Sequence, residues 1–117
     1  MIPASFRFHG HNSLRYVYAN GKAIRSQAIT IKSTPNTHRS MSRVSVVVSK
    51  KVIKGAIGRN RIRRRVYEYA RLNLERLNAT YDIVIIVTSA ELRDMPYSEL
   101  SDQLDQLFER GELYKTS

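Results

Sequence analysis

Three parts of this chain have residue patterns that are typical of β-strands. Within residues 23–33, Ile29 and Ile31 alternate with polar neighbours, which is the pattern of a half-buried strand. The β-branched run 43–49 predicts a central strand. The nearly continuous apolar run 81–87 predicts a strand that is covered on both faces.

A short first helix is predicted before these strands. Leu14, Val17 and Tyr18 follow the polar pair Asn12–Ser13 at helical spacing, and that pair supplies an Asx or Ser cap. Gly21 closes the helix at its carboxyl end. The polar stretch 33–42 contains a proline and predicts a loop between two of the strands.

A longer helix is predicted over residues 59–77, after a segment with two glycines that permit backbone shapes forbidden to other residues. At 100° per residue one stripe of it is largely apolar and faces the core. That stripe consists of Ile62, Val66, Tyr69, Ala70, Asn73 and Leu77. Arg61, Arg64, Arg65 and Arg71 project around the other side, so these arginines point away from the core.

A final helix begins near Pro96 and is stopped by Gly111, with Leu100, Leu104 and Leu107 in its apolar stripe. The predicted class is α+β: one domain over 1–117, a two-layer α/β sandwich with a mixed sheet of about four strands in the order α-β-β-β-α-β-α. Residues 1–10 and 112–117 are expected to be flexible ends.

The composition excludes several classes of protein and kinds of site. The chain has no Cys, which excludes a disulfide framework, thiolate metal sites and thiol catalysis. No apolar run approaches the roughly 20 residues that span a bilayer. The amino-terminal residues lack the apolar core of a secretory signal. We therefore expect a cytoplasmic protein with no membrane partner.

Charge is segregated along the chain, whose formal net charge is +10. Residues 1–42 hold six Lys or Arg and no acid, and residues 43–78 hold eleven against two acids. Residues 79–117 hold three against eight acids. Such segregation favours a polyanionic partner, the alternative being a solvated basic face that only keeps the protein in solution.

The strongest motif is S-K-K, a turn that contains glycine, and then R-N-R-I-R-R-R. Arginine forks match phosphate oxygens, and a helix amino terminus adds free N–H groups. Asn60 either caps the helix or hydrogen-bonds a ribose hydroxyl or a base edge. The predicted RNA-binding residues are Lys50, Lys51, Lys54, Arg59, Asn60, Arg61, Arg63, Arg64 and Arg65.

Other candidate sites are weaker. Tyr16 and Tyr18 stand beside a strand that carries Arg25 and Lys32, which suits stacking of unpaired bases, although such tyrosines also serve as core residues. The three histidines, at 9, 11 and 38, have no clustered carboxylates for a metal site. We predict a binder with no catalytic residue and no metal ligand of its own.

The run SKKVIKGAIGRNRIRRRVYEYAR (49–71) resembles the signature of the bacterial ribonuclease P protein subunit. The resemblance continues through YDIVIIV (81–87) to the closing helix and covers most of the chain. It implies a fold similar to a domain of a ribosomal small-subunit protein, with a left-handed β-α-β crossover. It also implies that the catalytic RNA cleaves precursor tRNA with Mg²⁺, while the protein binds that RNA and the 5′ leader.

Carried over by position, the resemblance assigns contact with the catalytic RNA to Lys50, Lys51, Arg59, Asn60, Arg61 and Arg64. It assigns the leader-binding cleft to Leu14, Tyr18 and Lys32. Leu14 replaces an expected Phe, and Lys32 stands where an aromatic residue is common, so we expect weaker stacking on the leader and a larger contribution from charge than in the family. Two alternatives remain: a general RNA-binding or ribosome-associated module, and a self-sufficient nuclease.

Overall fold

The computed structural model describes residues 11–38 and 40–116, with side chains from Leu14 onward. The helices are α1 (His11–Asn20), α2 (Ala56–Asn73) and α3 (Tyr97–Arg110), and the strands are β1 (Lys22–Arg25), β2 (Ile29–Pro35), β3 (Arg43–Val48) and β4 (Tyr81–Val87). Short 3-10 helices span Leu74–Arg76 and Ala90–Arg93. The predicted α-β-β-β-α-β-α order is confirmed. The expected flexible end 1–10, the side chains of the first cap and two histidines, and Ser117 lie outside the described part.

The sheet is mixed, as predicted, with the strand order β1-β2-β4-β3. β2 is antiparallel to β1 and to β4, whereas β3 is parallel to β4. Two parallel neighbours require a crossover, and α2 with the segments on either side of it forms that connection. The left-handedness of this crossover stays an implication of the resemblance.

The half-buried strand predicted within 23–33 is confirmed as β2, but the stretch also contains most of β1, because it folds into the hairpin of these two strands. The backbone N–H of Ser26 donates to the carbonyl of Ile29 over 2.8 Å, and its hydroxyl accepts from the Ile29 N–H. Ile24 pairs with Ile31 across the hairpin, so both strands present apolar residues to the same side. β2 also extends to Pro35, into the stretch predicted as a loop.

The main core lies between one face of the sheet and the helices α2 and α3. Alternate strand residues such as Ile31, Val46 and Ile85 point into it. The helices contribute mainly the predicted stripes, among them Ile62, Val66, Tyr69, Leu100, Leu104 and Leu107. This packing forms the two layers of the predicted sandwich and leaves the opposite face of the sheet to α1.

α1 lies across that opposite face. Val17 of α1 and Val84 of β4 are fully buried against each other, with Leu14 packed beside them. Gly21 ends the helix, and a Cβ there would come within 2.4 Å of the Val17 carbonyl oxygen. Close approach of the backbone, rather than a positive φ, therefore requires glycine at this position.

The segment after α3 packs into the protein, so our expectation of a flexible end at 112–117 is wrong for its described part. Leu113 and Tyr114 are buried. The Lys115 N–H donates to the Arg76 carbonyl over 2.7 Å, and Leu77 forms an isolated β-bridge with Tyr114. The chain end thereby closes the side of the main core that α2 and α3 leave open.

A partly buried polar cluster joins α2, α3 and this carboxyl-terminal segment. The Tyr69 hydroxyl donates to Asp105 over 2.5 Å and lies 2.5 Å from the Tyr114 hydroxyl. Arg76 donates to the same Asp105 oxygen over 2.9 Å. Burial raises the pKa of Tyr69 above its usual range and raises the pKa of Tyr114 to about 12.

Stability is expected to fall as the pH rises through the range in which Tyr114 titrates. An unfolded tyrosine loses its proton near pH ~10, whereas folded Tyr114 keeps it until about pH 12. The stabilisation is complete below about pH 10 and is lost as the pH approaches 12, because the unfolded state releases its proton first. Urea unfolding at about pH 9 and about pH 11 measures this loss. Tyr114→Phe should reduce the difference between the two pH values, and an unchanged difference would contradict the assignment.

Candidate nucleic-acid interface

Three of the predicted lysines lie on the connection from β3 to α2. A turn follows β3, in which the Val52 N–H donates to the Ser49 carbonyl over 3.1 Å. Lys50 and Lys51 occupy this turn with exposed side chains, and Lys54 is exposed three residues later. The turn therefore presents its positive charges to solvent rather than to the sheet.

α2 begins at Ala56, three residues earlier than predicted, after the extended N-cap residue Gly55. Asn60 consequently lies in the second turn, where it is exposed and accepts a hydrogen bond from Arg63, so its predicted role as the helix cap is wrong. No side chain caps the helix. The N–H groups of its first turn, which lack carbonyl partners within the helix, remain available to an anion.

Gly58 allows the connection to pack closely against α2. A Cβ on Gly58 would lie 2.4 Å from Cδ1 of Ile53, and the backbone has no glycine with a positive φ in the described part. The predicted need for unusual backbone shapes at the two glycines is therefore wrong. What the fold requires is room for Ile53, which holds the lysine-bearing connection against the helix.

Arg59 and Arg61 each use part of the guanidinium to bind backbone. Nη1 of Arg59 donates to the carbonyls of Ile53 and Lys54 over 3.1 and 2.5 Å. Nε of Arg61 donates to the carbonyl of Arg93 over 2.9 Å. These bonds orient both groups and leave other N–H donors of each guanidinium for phosphate oxygens. Arg64, by contrast, is exposed and extends freely into solvent.

Arg65 points in a different direction from the predicted row. Its Nη1 donates to the carbonyls of Leu92 and Arg93 over 2.7 and 3.0 Å. Its Nη2 donates to the carbonyl of Met95 over 2.5 Å. The expectation that Arg65 projects away from the protein is therefore wrong, since the side chain fastens residues 92–95 to α2.

We call the outward group of predicted residues the basic ridge. It comprises Lys50, Lys51, Lys54, Arg59, Asn60, Arg61, Arg63 and Arg64. Among the described residues, the salt bridges use other arginines, at positions 43, 71, 76 and 93. Among the acidic residues of α3, Asp105 and Glu109 bind Arg76, and none of the salt bridges in the described part of the chain involves a ridge residue. Unneutralised like charges repel one another, so this surface favours a bound polyanion.

The structure also brings together the three residues predicted for the second site, which we call the α1 cleft. The Lys32 ammonium donates to the Tyr18 carbonyl over 3.0 Å and lies 5.2 Å from the centre of the Tyr18 ring. Leu14 packs beside the Val17–Val84 contact. Lys32 thus binds one of the last carbonyls of α1, and Tyr18 remains 38% exposed.

The sequence analysis missed the apolar floor of the α1 cleft. Val47 and Ile86 pair across β3 and β4 on the face that carries α1, and both are only half buried. Both residues alternate with core residues along their strands, and this alternation could have indicated a second, partly open face. The sequence pattern of β4 instead predicted a strand that is covered on both faces. α1 covers the part of that face around Val84 and leaves these two side chains partly open.

Two properties of the described residues bear on the remaining alternatives. Within residues 11–38 and 40–116, no helix is long and apolar enough to cross a membrane. The same residues contain no group of three or more His, Cys, Asp or Glu that could hold a metal ion. A mixed α+β fold with an unneutralised basic ridge and an open cleft defines a small nucleic-acid-binding domain.

The particular family follows from comparison with known proteins. The family model described as Ribonuclease P matches residues 2–112. The ribonuclease P protein component of Chloroflexus aurantiacus is 35% identical over 92% of this chain and 78% of its own length. That of Symbiobacterium thermophilum is 33% identical over 93% of each chain. The chain belongs to the ribonuclease P protein family, which confirms the resemblance.

Solved structures agree with this assignment at the level of the fold. The Staphylococcus aureus RNase P protein superposes with a TM-score of 0.82 at 19% identity, covering 94% of this chain and 98% of that one. The RNase P protein from Thermotoga maritima, in complex with a thiourea compound, has a TM-score of 0.78 at 22% identity, covering 89% and 98%.

Proposed function

We propose that this chain is the protein subunit of a ribonuclease P ribonucleoprotein that matures the 5′ ends of tRNA. The basic ridge binds the catalytic RNA, and the α1 cleft binds the 5′ leader of precursor tRNA. The RNA subunit performs the cleavage with Mg²⁺. The observation that carries this proposal is the unneutralised S-K-K and R-N-R ridge in a chain of this family.

The placement of the carboxylates supports a binding role for the protein. A nuclease that uses its own Mg²⁺ needs acidic side chains converging beside the bound phosphate. In this chain Asp105 is bound by Tyr69 and Arg76, and Glu109 lies 3.7 Å from Arg76. These acids belong to the cluster that joins α3 to the end of α2, away from the first turns of that helix.

Two physical effects follow from the two surfaces. Cations on the ridge replace the counterions of the RNA, which allows catalytic RNA and precursor to approach each other despite their mutual repulsion. A cleft that binds the leader favours precursor over mature tRNA, because the mature product has lost that segment. The selectivity is a difference between two binding free energies.

Reconstitution in low Mg²⁺ tests the proposal. We expect the protein to increase 5′ cleavage of precursor tRNA by ribonuclease P RNA, because the ridge supplies positive charge that scarce Mg²⁺ does not. Protein without RNA is expected to leave the precursor intact, and cleavage by protein alone would favour the nuclease alternative. RNA binding with unchanged 5′ cleavage would favour a general RNA-binding module.

The same assay tests whether the α1 cleft binds the leader. Tyr18→Ala is the test variant, and Tyr16→Ala is the control. Both tyrosines lie on α1, but Tyr16 is 60% exposed and is not part of the α1 cleft. The Tyr18 variant should lose several-fold of the preference for precursor over mature tRNA, since one stacked base contributes about 1–3 kcal/mol. If both variants had the same preference for precursor over mature tRNA, the assignment of the leader to the α1 cleft would be contradicted. The assignment of the catalytic RNA to the ridge would not be affected.

A further inference from the structure

A short helix outside the basic motif is fastened to α2 beside the basic ridge. Residues 90–93 form a 3-10 helix after β4, and the Leu92 side chain is fully buried in the main core. Arg65 donates to three carbonyls of residues 92–95, as described above. Burial of Leu92 in the core and the hydrogen bonds of Arg65 therefore both hold this segment against α2.

This attachment places Arg93 next to the first turns of α2. The Arg93 carbonyl accepts from Nε of Arg61 over 2.9 Å. Cδ of the Arg93 side chain lies 3.6 Å from the position that a Cβ of Gly58 would occupy. The aliphatic part of the Arg93 side chain therefore packs against α2 at Gly58, which has no side chain to block it, and lies close to Arg61.

Within the described part of the chain, Asp94 is the ion-pair partner of the Arg93 guanidinium, and it is a weak one. The two groups pair at 2.9 Å, but the two side chains are 48% and 64% exposed. Ion pairs this open to water contribute little, and the partner is the adjacent residue. An RNA phosphate beside Arg61 would compete with Asp94 for the same guanidinium N–H groups.

We propose that Arg93 is a further RNA-binding residue that contributes a phosphate contact next to the basic ridge. Arg65 is a positioning residue that acts through Arg93, and Asp94 restrains Arg93 until RNA binds. The proposal rests on the function proposed above, because its ligand is the RNA bound by the ridge. It explains why one arginine of the R-R-R run is turned toward backbone carbonyls instead of solvent.

The test measures the affinity for ribonuclease P RNA over a range of KCl concentrations. Arg93→Ala should weaken binding about tenfold or more and reduce the log–log salt slope by about 0.7–0.9, the effect of one lost phosphate contact. Arg110→Ala is the control, since that exposed arginine donates to the Arg25 carbonyl at the opposite edge of the sheet. Equal slopes for Arg93→Ala and the wild type would overturn the proposal.

Asp94 provides a second and opposite readout. Asp94→Asn should strengthen binding by up to about fivefold, because an exposed ion pair that competes with RNA is removed. Glu91→Gln removes the same charge from the same short helix and serves as the control. In an Arg93→Ala background the two neutralising variants should have equal effects. If Asp94→Asn still strengthened RNA binding more than Glu91→Gln in the Arg93→Ala background, competition between Asp94 and RNA for Arg93 would be contradicted.

The positioning role of Arg65 is read from a double-mutant cycle. Arg65→Ala should reduce the salt slope in the wild-type background and leave it unchanged in the Arg93→Ala background. Additive slopes would mean that Arg65 acts independently of Arg93. Wild-type protein that fails to bind the RNA would refute the proposed function itself, whereas normal wild-type binding with an unaffected Arg93→Ala variant would refute only this inference.

Discussion

Replacing both Arg59 and Arg61 with alanine is expected to weaken binding to ribonuclease P RNA by about 100-fold. Each guanidinium is oriented by a backbone carbonyl and retains N–H donors for phosphate. A hydrogen bond to a charged group is worth about 1.5–3 kcal/mol, so two lost contacts give at least this factor. The log–log salt slope should fall by about 0.7–0.9 for each residue. Equilibrium binding at several KCl concentrations measures both quantities.

The control for this variant is Arg25→Ala with Arg110→Ala, which makes the same change in net charge at the β1 edge of the sheet. If only total charge mattered, the two double variants would bind RNA equally weakly. A ridge that contacts phosphates directly predicts a much larger loss for the Arg59 and Arg61 pair. Urea unfolding should show at most a small loss of stability, since each arginine gives up only hydrogen bonds to backbone carbonyls near the surface.

The second large effect is expected in the core beneath the ridge. Tyr69→Ala should lower the free energy of unfolding by about 3–5 kcal/mol, because it removes a fully buried aromatic side chain between α2 and α3. The Tyr69 ring lies 6.1 Å from that of Phe108, and its hydroxyl meets Asp105. Tyr69→Phe keeps the ring and should cost about 1–2 kcal/mol, the share of the hydrogen bonds. Urea denaturation measures both losses.

Tyr97→Ala is the matched control, because Tyr97 is 40% exposed at the start of α3 and should change stability by no more than about 0.5 kcal/mol. If Tyr69→Ala lowered the free energy of unfolding by less than the ~1–2 kcal/mol expected for Tyr69→Phe, the packing argument would be contradicted. Tyr69 has no place on the basic ridge. Under conditions that keep the variant folded, its RNA affinity should therefore equal that of the wild type.

Periodicity and charge along the chain predicted the helices, most of the strands and the ridge. The stripe of Ile62, Val66 and Tyr69 predicted the buried side of α2 correctly. The arginines between them were expected to face outward, and Arg65 is the exception. The hairpin at Ser26 escaped prediction because Ile24 is a single large apolar residue, out of phase with the alternation of Ile29 and Ile31, and it defines no period of its own. Periodicity reports which face is buried and does not report where the chain reverses.

The directions of individual side chains depended on tertiary contacts. Arg65 belongs to the same run as Arg63 and Arg64, and only the carbonyls of residues 92–95, far along the chain, distinguish it. Asn60 is a residue type that often caps helices, but α2 begins at Ala56, after the extended Gly55, and Gly58 in its first turn leaves room for Ile53. Tyr114 follows the last helix without a periodic signal, so its burial was also outside the reach of the pattern.

The central position of β4 has a consequence for synthesis of the protein on the ribosome. β4 pairs with β2 on one side and β3 on the other, yet it follows both of them and α2 in the chain. The nascent chain exposes its arginine-rich stretch before residue 87 emerges, at a time when the sheet that supports this stretch is incomplete. The polypeptide is thus most cationic while its sheet is still incomplete and ribosomal RNA surrounds it.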